Sequence, residues 1–336
     1  SRFGKANRYG VFPAFSAGWV LSKEDFLSSS NVISLLKLRA SWGKTGNAEI
    51  GNFASRDLWN AASYKQLPAI EPVQPESPNL TWEKSSQTDI GLDFGVFNNR
   101  VSGEIDFYNK KTNGLLFYQN IPYTSGYSNI YRNIGDMKNT GFEMVINTQN
   151  IKKDNFTWDT NFNVAKNNNE ITALPDDNRD QIIGNVIRRV GERLDSFYLV
   201  EYAGVDPNNG DALFYKNTLN PDGTLDKTKT NDYSEAQRII AGSSTPDWIA
   251  GLTNTVEYKN FDFSFTFYGE FGGNLYNSGG KFMSTSASNG YDNQTVDQMN
   301  RWQNPGDITN VPQARLGKGN GVEESTRYLE KNDFVR

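Results

Sequence analysis

The chain has no cysteine and no histidine among its 336 residues. Without cysteine there are no disulfides, no thiolate chemistry and none of the usual zinc ligand sets. Without histidine every His-based triad is excluded. Long hydrophobic runs are missing too: no stretch of about 18 or more apolar residues occurs, so no helix of this sequence spans a bilayer. A basic excess is also lacking, because the formal net charge is −5 with Lys and Arg scattered, and this excludes a nucleic-acid footprint. Ser1–Phe12 shows no charged n-region followed by an apolar core. The last residues, Asp333-Phe334-Val335-Arg336, read like the middle of a strand. The expectation is one partial domain over 1–336, an internal piece of a longer protein whose preceding and closing segments lie elsewhere.

Aromatic residues, by contrast, make up 13% of the chain, and they are patterned. Phe261, Phe263, Phe265, Phe267 and Phe271 share one parity, while Asp262, Ser264, Thr266, Tyr268 and Glu270 fill the other. Period-two alternation marks a strand with one apolar and one polar face. A two-residue turn at Lys259-Asn260 would pair this strand with Trp248–Tyr258. Tyr258 then meets Phe261, Val256 meets Phe263, Leu252 meets Phe267 and Trp248 meets Phe271, with Asn254 opposite Phe265 as the polar exception. Each strand would be roughly 34 Å long at about 3.4 Å per residue. Tilted by about 40–45°, it would rise roughly 25 Å, the height of the apolar band of an outer-membrane barrel with aromatic girdles at both ends.

A second hairpin joins Thr88–Phe97 to Arg100–Tyr108 through Asn98-Asn99, residues that tolerate positive φ. Its apolar face sets Val96 against Val101, Phe94 against Gly103, Leu92 against Ile105 and Ile90 against Phe107. The other face opposes Asp93 to Glu104 and Gly91 to Asp106, so it needs water or a cation. In a third pair, Phe142–Asn150 with Phe156–Val164, keeping Phe142, Met144 and Ile146 beside Trp158 and Phe162 requires an odd number of turn residues. A three-residue turn at Lys152-Lys153-Asp154 supplies it. Further strands are expected at Tyr9–Trp19, Leu35–Gly43, Gly114–Ile121, Phe197–Ala203 and Ala212–Tyr215, the first weakened by Pro13. Long polar stretches at Thr45–Asn79, Pro122–Lys138, Pro207–Pro246 and Gly272–Arg327 separate them. Loops of that length are usually functional. Short turns alternating with long loops describe an all-β fold, part of a large antiparallel transmembrane barrel with short periplasmic turns and long extracellular loops. A secreted or surface-attached β-rich, glycan-binding module is the alternative, and a passive porin-like channel is another.

On the barrel reading, Trp248, Leu252, Val256, Tyr258, Phe261, Phe263, Phe265, Phe267 and Phe271 face lipid, as do Ile90, Leu92, Phe94 and Val96. Ligand or partner contacts are expected among the loop aromatics Trp59, Tyr64, Tyr123, Tyr127, Tyr131, Tyr291 and Trp302, whose ring faces can stack on sugars or anchor a protein. No catalytic constellation stands out. Asp206–Asp211 resembles a calcium loop, but the sixth and twelfth places of an EF-hand hold Asp211 and Asn217 where Gly and Glu are needed. The paired acids Asp176-Asp177 and Glu323-Glu324 read as solvated loop charges, and Gly317–Gly321 lacks the strand-to-helix setting of a phosphate loop. No enzyme activity, metal or cofactor is expected.

Several ordered segments resemble one family. Asn7–Trp19, with Phe12-Pro13-Ala14-Phe15-Ser16-Ala17-Gly18-Trp19, is similar to the "FPSxSxGW" strand of SusC/RagA-like TonB-dependent transporters. Leu36–Asn47 resembles their "LKLRxSYGxTGN" segment, Pro78–Lys84 their "NPxLxWE" entry, and Asn133–Glu143 their "NxGxMxNxGxE". Gly204-Val205-Asp206-Pro207 and Trp302–Pro312 follow in the same order. The resemblance implies the C-terminal part of a barrel of about 22 strands with a plugged lumen. It also implies an outer membrane of the Gram-negative, Bacteroidota-like type, and energy-coupled import of large nutrients, oligosaccharides or peptides. A SusD-like lipoprotein would cover the mouth, and the TonB complex would be reached through N-terminal regions absent from this chain.

Overall fold

A computed structural model describes residues 2–284 and 293–336. Its main element is a nine-stranded antiparallel sheet in which each strand pairs with its neighbours in sequence. The strands are β1 Ala14–Val20, β2 Ile33–Asn47, β3 Glu83–Val96, β4 Val101–Asn113, β5 Asp136–Lys153, β6 Phe156–Ala173, β7 Trp248–Tyr258, β8 Phe261–Phe271 and β9 Phe334–Val335. Short turns join β3 to β4, β5 to β6 and β7 to β8 at one end, and the long connections leave from the other. The sheet is open, with β1 and β9 at its edges.

The β7–β8 hairpin has the register that its alternation predicts, from Trp248 opposite Phe271 to Tyr258 opposite Phe261. The β3–β4 pairs also follow the predicted register, and Asn98 and Asn99 carry φ of 57° and 60° in the turn. Both strands run further than the sequence suggested, starting at Glu83 and ending at Asn113. A side chain at Gly103 would place its Cβ 2.9 Å from the Phe94 ring, so the phenylalanine covers the bare backbone.

The β5–β6 turn corrects the expected three residues. Only Asp154 and Asn155 turn, with Lys153 opposite Phe156 and Trp158 opposite Ile151. Asn150 is then left unpaired as a bulge, and Asp159 faces Gln149. Phe142, Met144 and Ile146 keep the expected parity with Phe162, but the odd residue lies in the strand. Other boundaries also move. Strand β1 begins at Ala14, because Pro13 has no N–H to give the ladder, while its carbonyl accepts from Lys44 N at 2.8 Å. The expected Leu35–Gly43 strand extends to Ile33–Asn47. The segment Phe197–Ala203 divides into Ser196–Val200 and Tyr202–Val205, which belong to two different small sheets. Gly114–Ile121 shortens to Leu116–Asn120, which pairs with Asn129–Asn133 above the wall.

One face of the sheet is apolar across its strands. A single cross-strand line reads Trp19, Leu38, Leu92, Ile105, Met144, Val164, Ala250. The next reads Leu36, Phe94, Gly103, Ile146, Phe162, Leu252, Phe267. Among the described residues nothing covers Phe261, Phe263 and Phe267, which stay half or more exposed. The polar exception on this face is closed in on itself. Asn254 is buried, and its Oδ1 accepts from Trp158 Nε1 at 2.9 Å and from Thr160 Oγ1 at 2.7 Å. Asn150, the bulge residue, donates through Nδ2 to Thr160 Oγ1 at 2.7 Å and accepts from Thr148 Oγ1 at 3.0 Å.

Candidate functional site: the inner wall and the loop crown

The opposite face carries the polar parity of every strand. On β5 to β8 amides and hydroxyls line its middle, with Glu143, Asp159, Glu257, Asp262 and Glu270 on the same parity: Asn161 Nδ2 donates to Asn147 Oδ1 at 2.6 Å, and the hydroxyls of Thr253 and Thr266 lie 2.9 Å apart. On β2 to β4 it is charged. Asp93 and Glu104 face each other as the hairpin register requires, and Gly91 faces Asp106. The cation that relieves them is Arg39 of β2. Its Nε donates to Asp93 at 2.6 Å, and one terminal nitrogen lies 3.0 Å from Asp106 and 3.6 Å from Glu104. Lys37 adds a contact to Asp93 at 3.3 Å. Arg39 sits directly opposite Gly91, where a Cβ would fall 2.9 Å from its guanidinium carbon. The missing side chain lets the arginine reach two strands away.

Above the wall the long connections fold into small sheets. The first is a two-stranded ribbon, Leu58–Tyr64 with Leu67–Gln74, turning at Lys65 and Gln66 with φ of 49° and 66°. Such a ribbon alone is marginally stable. Its root is held by Gln74, whose Nε2 donates to the carbonyls of Phe53, Ala54 and Arg56 at 2.7–3.1 Å. Trp59 and Tyr64 project from it, 52% and 68% exposed. Asp57 ties this loop to the next: it accepts from Trp59 Nε1 at 2.9 Å and from Tyr127 OH at 3.1 Å. Tyr123 stands exposed on the same loop as Tyr127. Tyr131 is used differently. Its ring meets Tyr118 at a centroid distance of 3.7 Å, and it packs on the cluster of Phe3, Ile50, Ala54 and Leu80. Burial, then the Tyr118 hydroxyl, pushes its phenol up to about 12.

Trp302 lies elsewhere and is 5% exposed. Its Nε1 donates to Pro207 O at 3.1 Å, and its ring covers Gly210, which has φ of +76°. It is a packing anchor and presents no face to a ligand. Tyr291 lies outside the described residues. The Asp206–Asp211 loop closes as a turn, with Asp206 N donating to Asp211 O at 2.8 Å and Asp206 Oδ1 accepting from Asn208. Asp211 borders a polar recess of about 390 Å³ with Asn231, Arg315 and Asn320. Burial pushes its carboxyl up, but hydrogen bonds from Asn231 and Arg315 and the arginine charge outweigh this and hold it below the usual range.

Arg39, Asp57 and Asn133 are the organising residues that sequence reasoning missed. Asn133 Nδ2 donates to the carbonyls of Thr81 and Gly114, and its Oδ1 accepts from Thr81 N, locking two loop roots together. Only for Arg39 was there a signal, since its parity puts it on the face where Asp93 and Glu104 demand a cation.

Comparison with known proteins agrees with this architecture. Residues 1–190 match the family described as TonB dependent receptor-like, beta-barrel. TonB-dependent receptor P3 of Formosa agariphila is 34% identical over all of this chain and 35% of its own length. TonB-dependent receptor SusC of Bacteroides thetaiotaomicron is 37% identical over 79% of this chain and 28% of its own. Among solved structures, the RagAB peptide transporter superposes with a TM-score of 0.90 at 31% identity, over all of this chain and 37% of that one. The chain thus spans about a third of the length of its relatives. A sequential antiparallel wall, apolar on one face and polar on the other, belongs to the TonB-dependent receptor β-barrel family, SusC- and RagA-like, and this chain is a member of it.

Proposed function

We propose that this chain forms part of the wall and loop crown of an outer-membrane, TonB-dependent importer of large nutrients, oligosaccharides or peptides. It would work with a SusD-like lipoprotein seated on the long-loop end. The observation that carries this reading is the two-faced wall, with a mostly apolar exterior and an inner face of ion cluster and amides. Strands in lipid need every backbone group paired, which a closed barrel supplies. In this reading the apolar parity faces lipid, the charged and amide parity faces the lumen, and the projecting ribbon with Trp59 and Tyr64 meets the lipoprotein or the cargo. Tyr123 and Tyr127 stand beside it as further contacts. No step of this function requires bond-making chemistry by the chain, so it is assigned no catalytic role.

The deciding experiment uses the full-length protein in cells. Uptake of a labelled oligosaccharide or peptide should stop when the proton-motive force is collapsed. Uptake that persists unchanged would favour a passive channel, and extraction of the protein into buffer without detergent would sink the barrel altogether.

A further inference from the structure

The outward face of the wall changes in steps toward the long-loop end. Above the aliphatic lines come Phe107 and Phe142, stacked at 5.9 Å, with Trp248 edge-on to Phe142 at 5.8 Å. Lys166 stands between Phe142 and Trp248 in this line, its ammonium 4.9 Å from the Trp248 ring. The next line outward on the same parity reads Trp42, Thr88, Asn109, Thr140, Asn168. The line above it reads Lys44, Ser86, Lys111, Lys138, Glu170. Lys111 stands directly opposite Lys138, an arrangement that costs stability unless an anion lies between. Among the described residues none of the three lysines forms an ion pair, and the Lys44 ammonium rests 5.8 Å from the Trp42 ring. Across the three strand spacings from Lys44 to Lys138 the row is about 14 Å wide, at about 4.8 Å per spacing.

We infer that this lysine row is a docking surface for phosphate-bearing lipid headgroups of the leaflet on the long-loop side. The inference rests on the barrel reading above. Its place in the polarity sequence argues for lipid rather than a soluble anion. An aromatic band marks the membrane interface, and headgroup phosphates lie just beyond it. The row faces outward, away from cargo and lumen. A phosphate held between Lys111 and Lys138 would remove their repulsion, and Lys44 would reach a second one. Anionic headgroups attract each nearby lysine appreciably.

The test uses the full-length protein in mixed micelles of phosphatidylglycerol and phosphatidylcholine, with retained lipid read by native mass spectrometry. Wild type should retain phosphatidylglycerol preferentially. Lys111→Gln with Lys138→Gln should lower that retention by roughly tenfold or more, as two lysines near an anionic surface predict. Lys111→Arg with Lys138→Arg should keep it, as should Lys110→Gln on the inner face. Equal retention of phosphatidylglycerol by wild type and the paired Gln variant overturns the inference, as does displacement of the lipid by millimolar inorganic phosphate. If the paired variant does not fold, Lys44→Gln gives the same reading with a smaller loss, and no loss overturns the inference. Insertion into pure phosphatidylcholine bilayers reports the barrel alone, so its failure would strike the barrel reading and not the lysine row.

Discussion

Two polar clusters of the wall, each spanning several strands, are built in opposite ways. On the outward face, Asn254, Thr160, Trp158, Asn150 and Thr148 are neutral and satisfy one another. On the inward face, Arg39 gathers three carboxylates and stays about one-third exposed. A polar group facing lipid finds no water, so it must close its hydrogen bonds inside the protein. A group facing a wet lumen can keep charge, provided a counter-charge answers it. The contrast is the one that the proposed barrel, with lipid on one face and water on the other, requires.

Arg39→Met tests the inward side most severely. It leaves Asp93, Glu104 and Asp106 opposed and should destabilise the full-length protein by about 2 kcal/mol, toward the lower side for a broken ion cluster because the arginine is partly exposed. Urea unfolding in micelles would read it, and adding Asp106→Asn should recover part of the loss. An unchanged midpoint would mean that lumenal water already screens the acids. On the outward side, Asn254→Leu strands the Trp158 and Thr160 donors and should cost about 1–2 kcal/mol. Adding Trp158→Phe should restore part of it, because the stranded indole donor is then gone while Thr160 still accepts from Asn150. No recovery would show that shape, not polar closure, governs that site.

The crown offers smaller effects. Asp211 is held below its usual range, so its contribution is present above the unfolded value and is lost as pH falls through the folded one. Amide exchange around residues 206–216 should therefore speed up only below about pH 4, the unfolded carboxylate value. Asp211→Asn should abolish that step. Trp59→Ala should shift stability by less than about 0.5 kcal/mol, as expected for an exposed side chain. The same variant should weaken capture of the proposed SusD-like lipoprotein in a pull-down, and unchanged capture would remove the ribbon from the proposed contact surface.

The wall was the legible part because its side chains obey a period of two and its turns are short. The β7–β8 register could be written from parity and Lys259-Asn260 alone. The β5–β6 turn was misplaced, because a bulge at Asn150 and a longer turn satisfy the same parity. The crown was much less legible. Its strands are short, and its organising contacts, such as Asp57 to Tyr127 and Asn133 to Thr81, join residues far apart in sequence. Trp302 shows the limit of composition: a loop tryptophan looked available for binding, yet its indole is spent on Pro207 and Gly210.

The strictly sequential strand order has a kinetic consequence. Strands β3 and β4, β5 and β6, and β7 and β8 close across only a few residues, whereas residues 48–82, 114–135 and 174–247 separate one pair from the next. Closing a short loop loses less chain entropy than closing a long one, and nearby contacts form faster. Assembly of the wall should therefore advance in units of two, each hairpin arriving already paired and zipping to the edge left by the one before.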